Sequence, residues 1–221
     1  MSKILVTGSG AGLGAALVTV LRGQGHDVVE YDIKHGHDVR DPVVLLEDLD
    51  ILINCAGINR INWLKDVSEH EWDAVMDTNV KGIFLMAQEC RYLLSKSHGT
   101  ILNIVSNAAH MPMRCSAAYN ASKGAALILT KQLARELASD GITVFSVSPN
   151  KLHGTEMSDS IDEQVVATRG WTKEQAQAYQ MQSLLAGAET PVIEVAEFIA
   201  YLLSRKERHR YLTGCDLQYG A

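Results

Sequence analysis

Short apolar runs alternate with longer stretches of helical hydrophobic spacing along the chain of 221 residues. The short runs are apolar throughout instead of alternating with polar residues, which is typical of strands buried on both faces of a parallel sheet. We predict such strands at 4–6, 28–32, 51–53, 101–105, 142–147 and 215–219. Helices are predicted at 13–22, 43–49, 68–94, 116–138 and 191–203. The pattern therefore predicts an α/β fold with a doubly wound, Rossmann-like parallel sheet.

Capping residues mark the start of several predicted helices. Ser68 and Glu71 have the spacing of a capping box, and Thr172 and Gln175 repeat it. Thr190 followed by a proline predicts an N-cap with proline at the first helical position. No internal repeat or linker divides the chain, so a single domain over 1–221 is expected.

Charge and cysteine content exclude several classes of function. Acidic residues outnumber basic ones by 26 to 20, which disfavours a nucleic-acid surface, and we interpret the basic cluster at 205–210 as a solvated helix end. The cysteines at 55, 90, 115 and 215 lack metal-ligand spacing, and we interpret His35 and His37 as a polar turn, so no metal is expected. No apolar run is long enough for a membrane span, and the first residues do not resemble a signal peptide. A cytoplasmic location with reduced cysteines is the expectation.

A glycine-rich segment joins the first predicted strand to the first helix. Gly8, Gly12 and Gly14 have the spacing G-x-x-x-G-x-G, which lets a backbone turn approach a pyrophosphate at a helix N-terminus. Asp32 follows the second strand, where a carboxylate accepts hydrogen bonds from ribose hydroxyls and repels a 2′-phosphate. The sequence therefore predicts NAD as cofactor, with NADP less favoured because Lys34 is close.

Tyr119 and Lys123 are four residues apart and share one face of a predicted helix. A nearby ammonium is expected to lower the pKa of the phenol toward the range useful for acid–base catalysis. Ser106 follows a predicted strand, as do Gly8, Asn54 and Pro149. Ligands of open parallel sheets bind beyond the carboxyl ends of the strands, so these residues are expected at one edge.

Taken together, these motifs resemble those of the short-chain dehydrogenase/reductase family, in the family's order and over nearly the whole chain. The matching segments are TGSGAGLG at 7–14, Asp32, Asp38-Val39, NCAG at 54–57, Asn79 in DTNVKG, Ser106, YNASK at 119–123, Pro149 and YLTG at 211–214.

The resemblance implies a role for each matching residue. Tyr119 would be the general acid/base, Lys123 would lower its pKa and hold the nicotinamide ribose, and Ser106 would bind the substrate oxygen. Asn79 would hold a water that links Lys123 to solvent. The implied cofactor-binding residues are Gly8, Gly12, Leu13, Gly14, Asp32, Asp38, Val39, Asn54, Ala56, Gly57, Tyr119, Lys123, Pro149, Leu152 and Thr155.

The sequence also departs from the family's pattern. The segment between Asp38 and Asn54 is shorter than the resemblance leads one to expect, so we predict a trimmed segment after the second strand and a reduced sheet edge there. The proline–glycine pair after the sixth strand reads Pro149-Asn150. The C-terminal Asp-Gly-Gly is replaced by Tyr-Gly-Ala at 219–221.

The resemblance further implies that 150–190 form a lid over a small-molecule substrate. Candidate lining residues are His110, Met111, Met113, Arg114, Met157, Trp171, Tyr179 and Met181, with Arg114 interpreted as a solvated surface residue. The leading hypothesis is an NAD-dependent alcohol dehydrogenase or ketone reductase. The alternatives are a non-catalytic NAD-binding redox sensor and an epimerase or dehydratase with the same cofactor cradle. The helices at 68–94 and 116–138 are expected to pair with copies of themselves in a homodimer or homotetramer.

Overall fold

A computed structural model describes residues 1–182, 184, 187–204 and 210–220 of the chain. Most of the basic cluster at 205–210, and the last residue of the C-terminal segment, lie outside the described residues. None of the helices within the described ranges is long and apolar enough to cross a membrane.

A six-stranded parallel sheet forms the centre of the fold, in the order β2-β1-β3-β4-β5-β8. Its strands are β1 (Lys3–Thr7), β2 (Asp27–Tyr31), β3 (Ile51–Asn54), β4 (Thr100–Ile104), β5 (Thr143–Pro149) and β8 (Asp216–Tyr219). Nearly all residues of β1, β3, β4 and β5 are buried, as the uniformly apolar runs predict. Because every pairing is parallel, the carboxyl ends of the strands meet at one edge.

Helices cover both faces of the sheet, which confirms the doubly wound α/β prediction. One face packs against α1 (Gly12–Gly23) and α7 (Val192–Leu203). The other packs against α3 (Gly82–Ser97) and α4 (Ala117–Leu137). The apolar side chains of the two faces form two separate hydrophobic clusters, one on each side of the strands.

The predicted helix at 68–94 is one helical segment that contains a wider turn. It begins with α2 (Glu69–Met76), where Ser68 and Glu71 form the predicted capping box. A π turn at Asp77–Lys81 follows, and α3 continues directly to Ser97. Such turns accommodate an extra residue in a helix and often occur at functional sites.

The prediction of a helix at 43–49 is wrong, because this segment forms neither helix nor strand. The backbone N–H of Val43 donates to the Tyr31 hydroxyl at 3.1 Å, and that of Val44 donates to Glu89 Oε1 at 3.3 Å. Val44 and Leu46 pack on the core, whereas Val43 and Leu45 are exposed. Because residues 43–46 are all apolar, the sequence did not show that their burial alternates with a period of two. The trimmed segment leaves β2 as the outermost strand, which confirms the predicted reduction of that edge.

The predicted N-cap at Thr190 is also wrong. Thr190 and Pro191 form the short strand β7, which pairs with β6 (Leu152–His153), and the Thr190 N–H donates to the carbonyl oxygen of Lys151 at 3.0 Å. Helix α7 therefore begins after the proline instead of at it. The preference of Thr-Pro for a helix start was overridden by pairing with a segment about 40 residues away.

Two further helices, α5 (Glu156–Arg169) and α6 (Lys173–Met181), lie in the region predicted to form a lid. Thr155 caps α5 by accepting a hydrogen bond from the Ser158 N–H at 3.0 Å. Thr172 and Gln175 form the predicted capping box of α6. These two helices are called the lid below.

Candidate active site

A cavity of about 640 Å³ lies at the carboxyl edge of the sheet. Its walls come from the glycine segment after β1, the ends of β3, β4 and β5, the first turns of α4, and the lid. The predicted residues Gly8, Asp32, Ser106, Tyr119 and Lys123 all line it. Parallel strands thus bring segments that are far apart in sequence to one cleft, as expected for this sheet type.

The glycine segment is held tightly between β3 and α1. Gly8 has a φ of +68°, and a Cβ placed on it would lie 2.7 Å from the Cα of Ala56. A Cβ on Gly14 would overlap the carbonyl oxygen of Gly8. Neither position accepts a side chain without a backbone shift, so both glycines are required by the turn itself.

Asp32 closes the glycine segment from the β2 side. Its carboxylate accepts a hydrogen bond from the Gly10 N–H at 2.9 Å and another from the Lys34 N–H at 2.8 Å. The Lys34 ammonium donates to the Gly10 carbonyl oxygen at 3.2 Å. The acid is therefore fixed at the cavity wall, with a cation beside it.

Tyr119 and Ser106 face each other across the cavity floor. Burial raises the pKa of the Tyr119 phenol, and a side-chain hydrogen bond with Ser106 opposes that rise. The Ser106 hydroxyl also accepts from the Ala108 N–H at 3.1 Å, which fixes its position at the end of β4. The two hydroxyls could therefore act on one substrate oxygen.

Lys123 is buried below Tyr119. Its ammonium donates to the Ile104 carbonyl oxygen at 2.9 Å and lies 5.7 Å from the centroid of the Tyr119 ring. Burial lowers the pKa of Lys123 to about 8, a change that the nearby Cys55 thiol opposes. The expected lowering of the Tyr119 pKa by Lys123 is not what this structure shows, since desolvation dominates and the hydrogen bond with Ser106 opposes it. The reason is that a largely buried phenol loses more hydration than a cation at this distance restores.

Asn79 lies fully buried within the π turn, behind the cavity wall. Its side-chain oxygen accepts from the Ile58 N–H at 2.8 Å, and its amide group donates to the Ile58 carbonyl oxygen and to Ser122 Oγ. A Cβ placed on Gly57 would lie 3.3 Å from the Asn79 oxygen and 3.7 Å from the Lys123 ammonium. The absence of a side chain at Gly57 leaves the space between these groups open, and the relay role of Asn79 stays a prediction.

The remaining cofactor residues divide into two groups. Gly12, Leu13, Ala56, Gly57, Pro149, Leu152 and Thr155 line the cavity. Three others do not form its wall. Asp38 accepts a two-pronged contact from the Arg40 guanidinium at 2.6 and 3.0 Å, Val39 packs beside Gly82, and Asn54 donates to Asn103 Oδ1 at 2.9 Å. Their cofactor contacts stay predictions.

The predicted substrate residues also separate. Met111, Met113, Arg114, Met157 and Tyr179 line the cavity, whereas Trp171 and Met181 do not. His110 turns away, and its Nε2 lies 2.8 Å from an Asp216 carboxylate oxygen on β8. That carboxylate also accepts hydrogen bonds from Ser146 and Ser148, so His110 joins the loop after β4 to the far edge of the sheet.

Several lining residues carried no sequence signal, among them Asn59, Asn107 and Arg169. Within the described part of the chain, Asn59 Oδ1, Asn107 Oδ1 and Ser9 Oγ are buried without a hydrogen-bond partner. Unpaired buried polar atoms are uncommon, and here they occur at or beside a cavity. These unpaired donors and acceptors fit a polar ligand better than an apolar one.

Comparison with known proteins agrees with this geometry. The family model described as short chain dehydrogenase matches residues 38–166. A 3-oxoacyl-acyl-carrier-protein reductase of Staphylococcus aureus is 36% identical over 177 residues, which cover 80% of this chain and 66% of the relative. The enzyme of the same name from Escherichia coli is 31% identical over 238 residues, covering 95% of this chain and 92% of the relative.

Solved structures with the same fold include two enzymes. A levodione reductase superposes with a TM-score of 0.87 at 20% identity, covering 99% of this chain and 96% of the other. The aldohexose dehydrogenase of Thermoplasma acidophilum gives 0.85 at 23% identity, covering 98% and 91%. At these identities, the likeness concerns the fold alone.

Proposed function

The chain belongs to the short-chain dehydrogenase/reductase family, and we propose that it interconverts a ketone and a secondary alcohol with NAD, using Tyr119 as general acid/base. The family binds a nicotinamide cofactor and acts on small molecules. The observation that carries the proposal is that Tyr119, Ser106 and the glycine segment line one and the same cavity.

In the direction of reduction, the chain's own part is to hold the carbonyl oxygen and to supply a proton. Ser106 donates a hydrogen bond to that oxygen, and Tyr119 gives its phenolic proton to it as the alcohol forms. The raised pKa of Tyr119 keeps the phenol protonated at neutral pH, which suits this direction. The Lys123 ammonium then stabilises the phenolate until it regains a proton.

A bound nicotinamide would supply or accept the hydride, and the chain would hold and orient it. Gly8, Gly12 and Gly14 would receive the pyrophosphate at the N-terminus of α1. Asp32 would accept hydrogen bonds from the hydroxyls of the adenosine ribose. Its negative charge repels a 2′-phosphate and so favours NAD over NADP. Thr155, Leu152 and Pro149 would close the nicotinamide end, where they line the cavity.

We propose that the whole chain is one oxidoreductase domain and that the lid belongs to it as the substrate cover. The lid approaches the glycine segment closely, which supports this proposal. A Cβ placed on Gly12 would lie in van der Waals contact, at 3.6 Å, with the side chain of Thr155, the N-cap residue of α5. The related 3-oxoacyl reductases are named for reducing a ketone, which favours a ketone as the substrate here. Assembly with copies of the chain, through α3 and α4, completes the proposal.

The decisive test is Tyr119→Phe, compared with Tyr92→Phe on the exposed surface. Loss of the acid/base group is expected to lower kcat by about 10²- to 10⁴-fold, with NADH binding retained. Turnover is measured over a panel of ketones, and affinity by nucleotide fluorescence. Binding of NADH by the wild-type protein without turnover of any ketone or alcohol would instead identify a redox sensor.

The cofactor preference is tested by the substitution Asp32→Ser. The variant Lys34→Gln, which changes the neighbouring cation, is measured for comparison. We expect NAD to be preferred by the wild type and Asp32→Ser to lose that preference, since a repelling charge is removed. The kcat/KM values for NADH and NADPH are compared. Preference of the wild-type protein for NADPH would overturn the assignment.

A further inference from the structure

Arg169, the last residue of α5, brings a guanidinium to the end of the cavity away from the glycine segment. The first turn of α5 lies beside Gly12, through Thr155. A helix of 14 residues is about 20 Å long, so Arg169 lies far from the pyrophosphate end. It therefore faces the part of the cavity left for the substrate.

Aromatic rings and one carbonyl oxygen hold this guanidinium in place. Its carbon atom lies 4.7 Å from the centroid of the Trp171 ring and 4.5 Å from that of Tyr179. One terminal nitrogen, Nη2, donates to the Arg114 carbonyl oxygen at 3.3 Å. These ring contacts do not use the N–H groups of Arg169. They therefore hold the guanidinium in place without occupying its hydrogen-bond donors.

Two nitrogens of this guanidinium, Nε and Nη1, are buried without an acceptor in the described ranges. Nor does any carboxylate there form an ion pair with Arg169. Asp162, a largely buried acid on α5, is already bound by Lys151 and Gln180. Glu156, the other acid on the lid side of the wall, lies at the opposite end of α5.

A buried, permanently charged group with free donors is costly unless an anion compensates it. Arg114 adds a second cation to the same wall, since it too lines the cavity. The cavity is therefore positive at its substrate end, and the two acids of its wall, Asp32 and Glu156, lie away from Arg169. An anionic group on the substrate would satisfy this end of the cavity, and a planar carboxylate matches a guanidinium best.

We propose that the substrate is an oxo acid or its hydroxy acid, whose carboxylate binds Arg169 while its carbonyl or alcohol reaches Tyr119. The inference rests on the proposed function and adds the substrate class to it. The carboxylate takes no part in bond making or breaking. It anchors and orients the substrate, so its contribution appears in kcat/KM as discrimination against uncharged analogues.

The test uses oxo acids of increasing chain length, each paired with its methyl ester. For the acid of best length, the wild-type protein is expected to prefer the free acid by about 10- to 100-fold in kcat/KM, as a charge-assisted hydrogen bond gives. Arg169→Gln is expected to abolish the preference, and Arg169→Lys to retain part of it. Lys173→Gln removes an exposed charge from the same lid and is expected to leave the preference unchanged.

Each outcome separates this inference from the proposed function. Turnover of acids and esters with equal efficiency by the wild-type protein would overturn the inference and leave the proposed function standing. Equal preference in wild type and in both Arg169 variants, with unchanged melting temperatures, would also overturn it. If no ketone is turned over, binding of the hydroxy acid by calorimetry decides: binding that Arg169→Gln abolishes supports the carboxylate site, and absence of binding rejects it.

Discussion

The two sides of the cavity are held in place by different kinds of contact. On the side of the sheet, which we call the reaction wall (the glycine segment, Ser106, Tyr119 and Lys123), the groups are fixed by strand ends, backbone hydrogen bonds and burial. On the lid, the fixing contacts are side chains that reach across the fold. Examples are Trp63 Nε1 to the Thr168 carbonyl oxygen at 3.0 Å, and Lys151 to Asp162 at 2.6 Å.

This difference separates the constant part of the chemistry from the part that selects the substrate. The reaction wall is built by the same strands that form the core, so its geometry exists before any ligand binds. The lid is held by a small apolar cluster that includes Val165 and Ala176 and by a few polar contacts, so exchanges there are expected to change the substrate with little effect on the fold. Changes in the reaction wall are therefore expected to have larger effects on stability than matched changes in the lid.

The sharpest contrast comes from two glycines with nearly equal φ, Gly8 at +68° and Gly170 at +65°. A Cβ on Gly8 would strike the Ala56 backbone, whereas nothing lies within 4 Å of one on Gly170. Gly170→Ala is expected to cost only the strain of the left-handed backbone, about 1 to 2 kcal/mol, and Gly8→Ala about 3 to 5 kcal/mol, with loss of NADH binding. Urea unfolding and nucleotide titration measure both. Equal costs would contradict the contrast.

Lys123 offers a test in which the reaction wall gains stability. Its pKa is lowered from 10.5 to about 8 by burial, so its charge opposes folding by about 3 kcal/mol at neutral pH. Lys123→Met is expected to raise the free energy of unfolding by up to that amount while abolishing turnover.

The size of this stabilisation depends on pH. Below pH 8 the lysine is charged in both states, and the cost is present in full. Between 8 and 10.5 the folded form gives up its proton first, so the cost disappears as pH rises. The gain of Lys123→Met should therefore shrink over that interval in urea unfolding followed from pH 7 to pH 10.5. A gain independent of pH would assign it to packing instead.

The smallest effect is expected on the lid. Lys151, next to β6, forms an ion pair with Asp162 of the lid and another, at 2.9 Å, with Glu189 beside β7. Its side chain is only 13% exposed. Lys151→Gln is expected to raise KM several-fold and to cost about 1 kcal/mol, because the pair is only partly shielded from water. Lys65→Gln, which breaks the exposed pair with Asp66, serves as the matched control. A change in kcat with KM unchanged would place Lys151 in the chemistry instead.

The sequence was most informative where one local rule determines the structure. The apolar runs at 4–6 and 51–53 form buried strands, and the capping boxes at Ser68 and Thr172 formed as predicted. The glycine spacing is explained by close backbone approach, and the order of motifs brought Ser106 and Tyr119 to one edge. These features depend on neighbours in the chain or on the parallel topology.

The misses share a different cause, since each depends on a distant partner. The segment at 43–49 is not helical, since Tyr31 and Glu89 bind its backbone, and Thr190 forms a strand because Lys151 and Leu152 pair with it. The environment of Arg169 depends on a ring from α6 and a carbonyl from the loop before α4. No window of local sequence contains such contacts.

The π turn at Asp77–Lys81 limits how this chain can change in length. It carries one residue more than an α-helix would use over the same rise, and each residue of a helix advances its side chains by about 100°. Removing one residue there would swing Asn79 away from Ile58, or turn α3 off its cluster. We therefore expect a one-residue insertion or deletion within Asp77–Lys81 to be poorly tolerated, whereas the short stretch between β2 and β3 is compatible with an intact sheet.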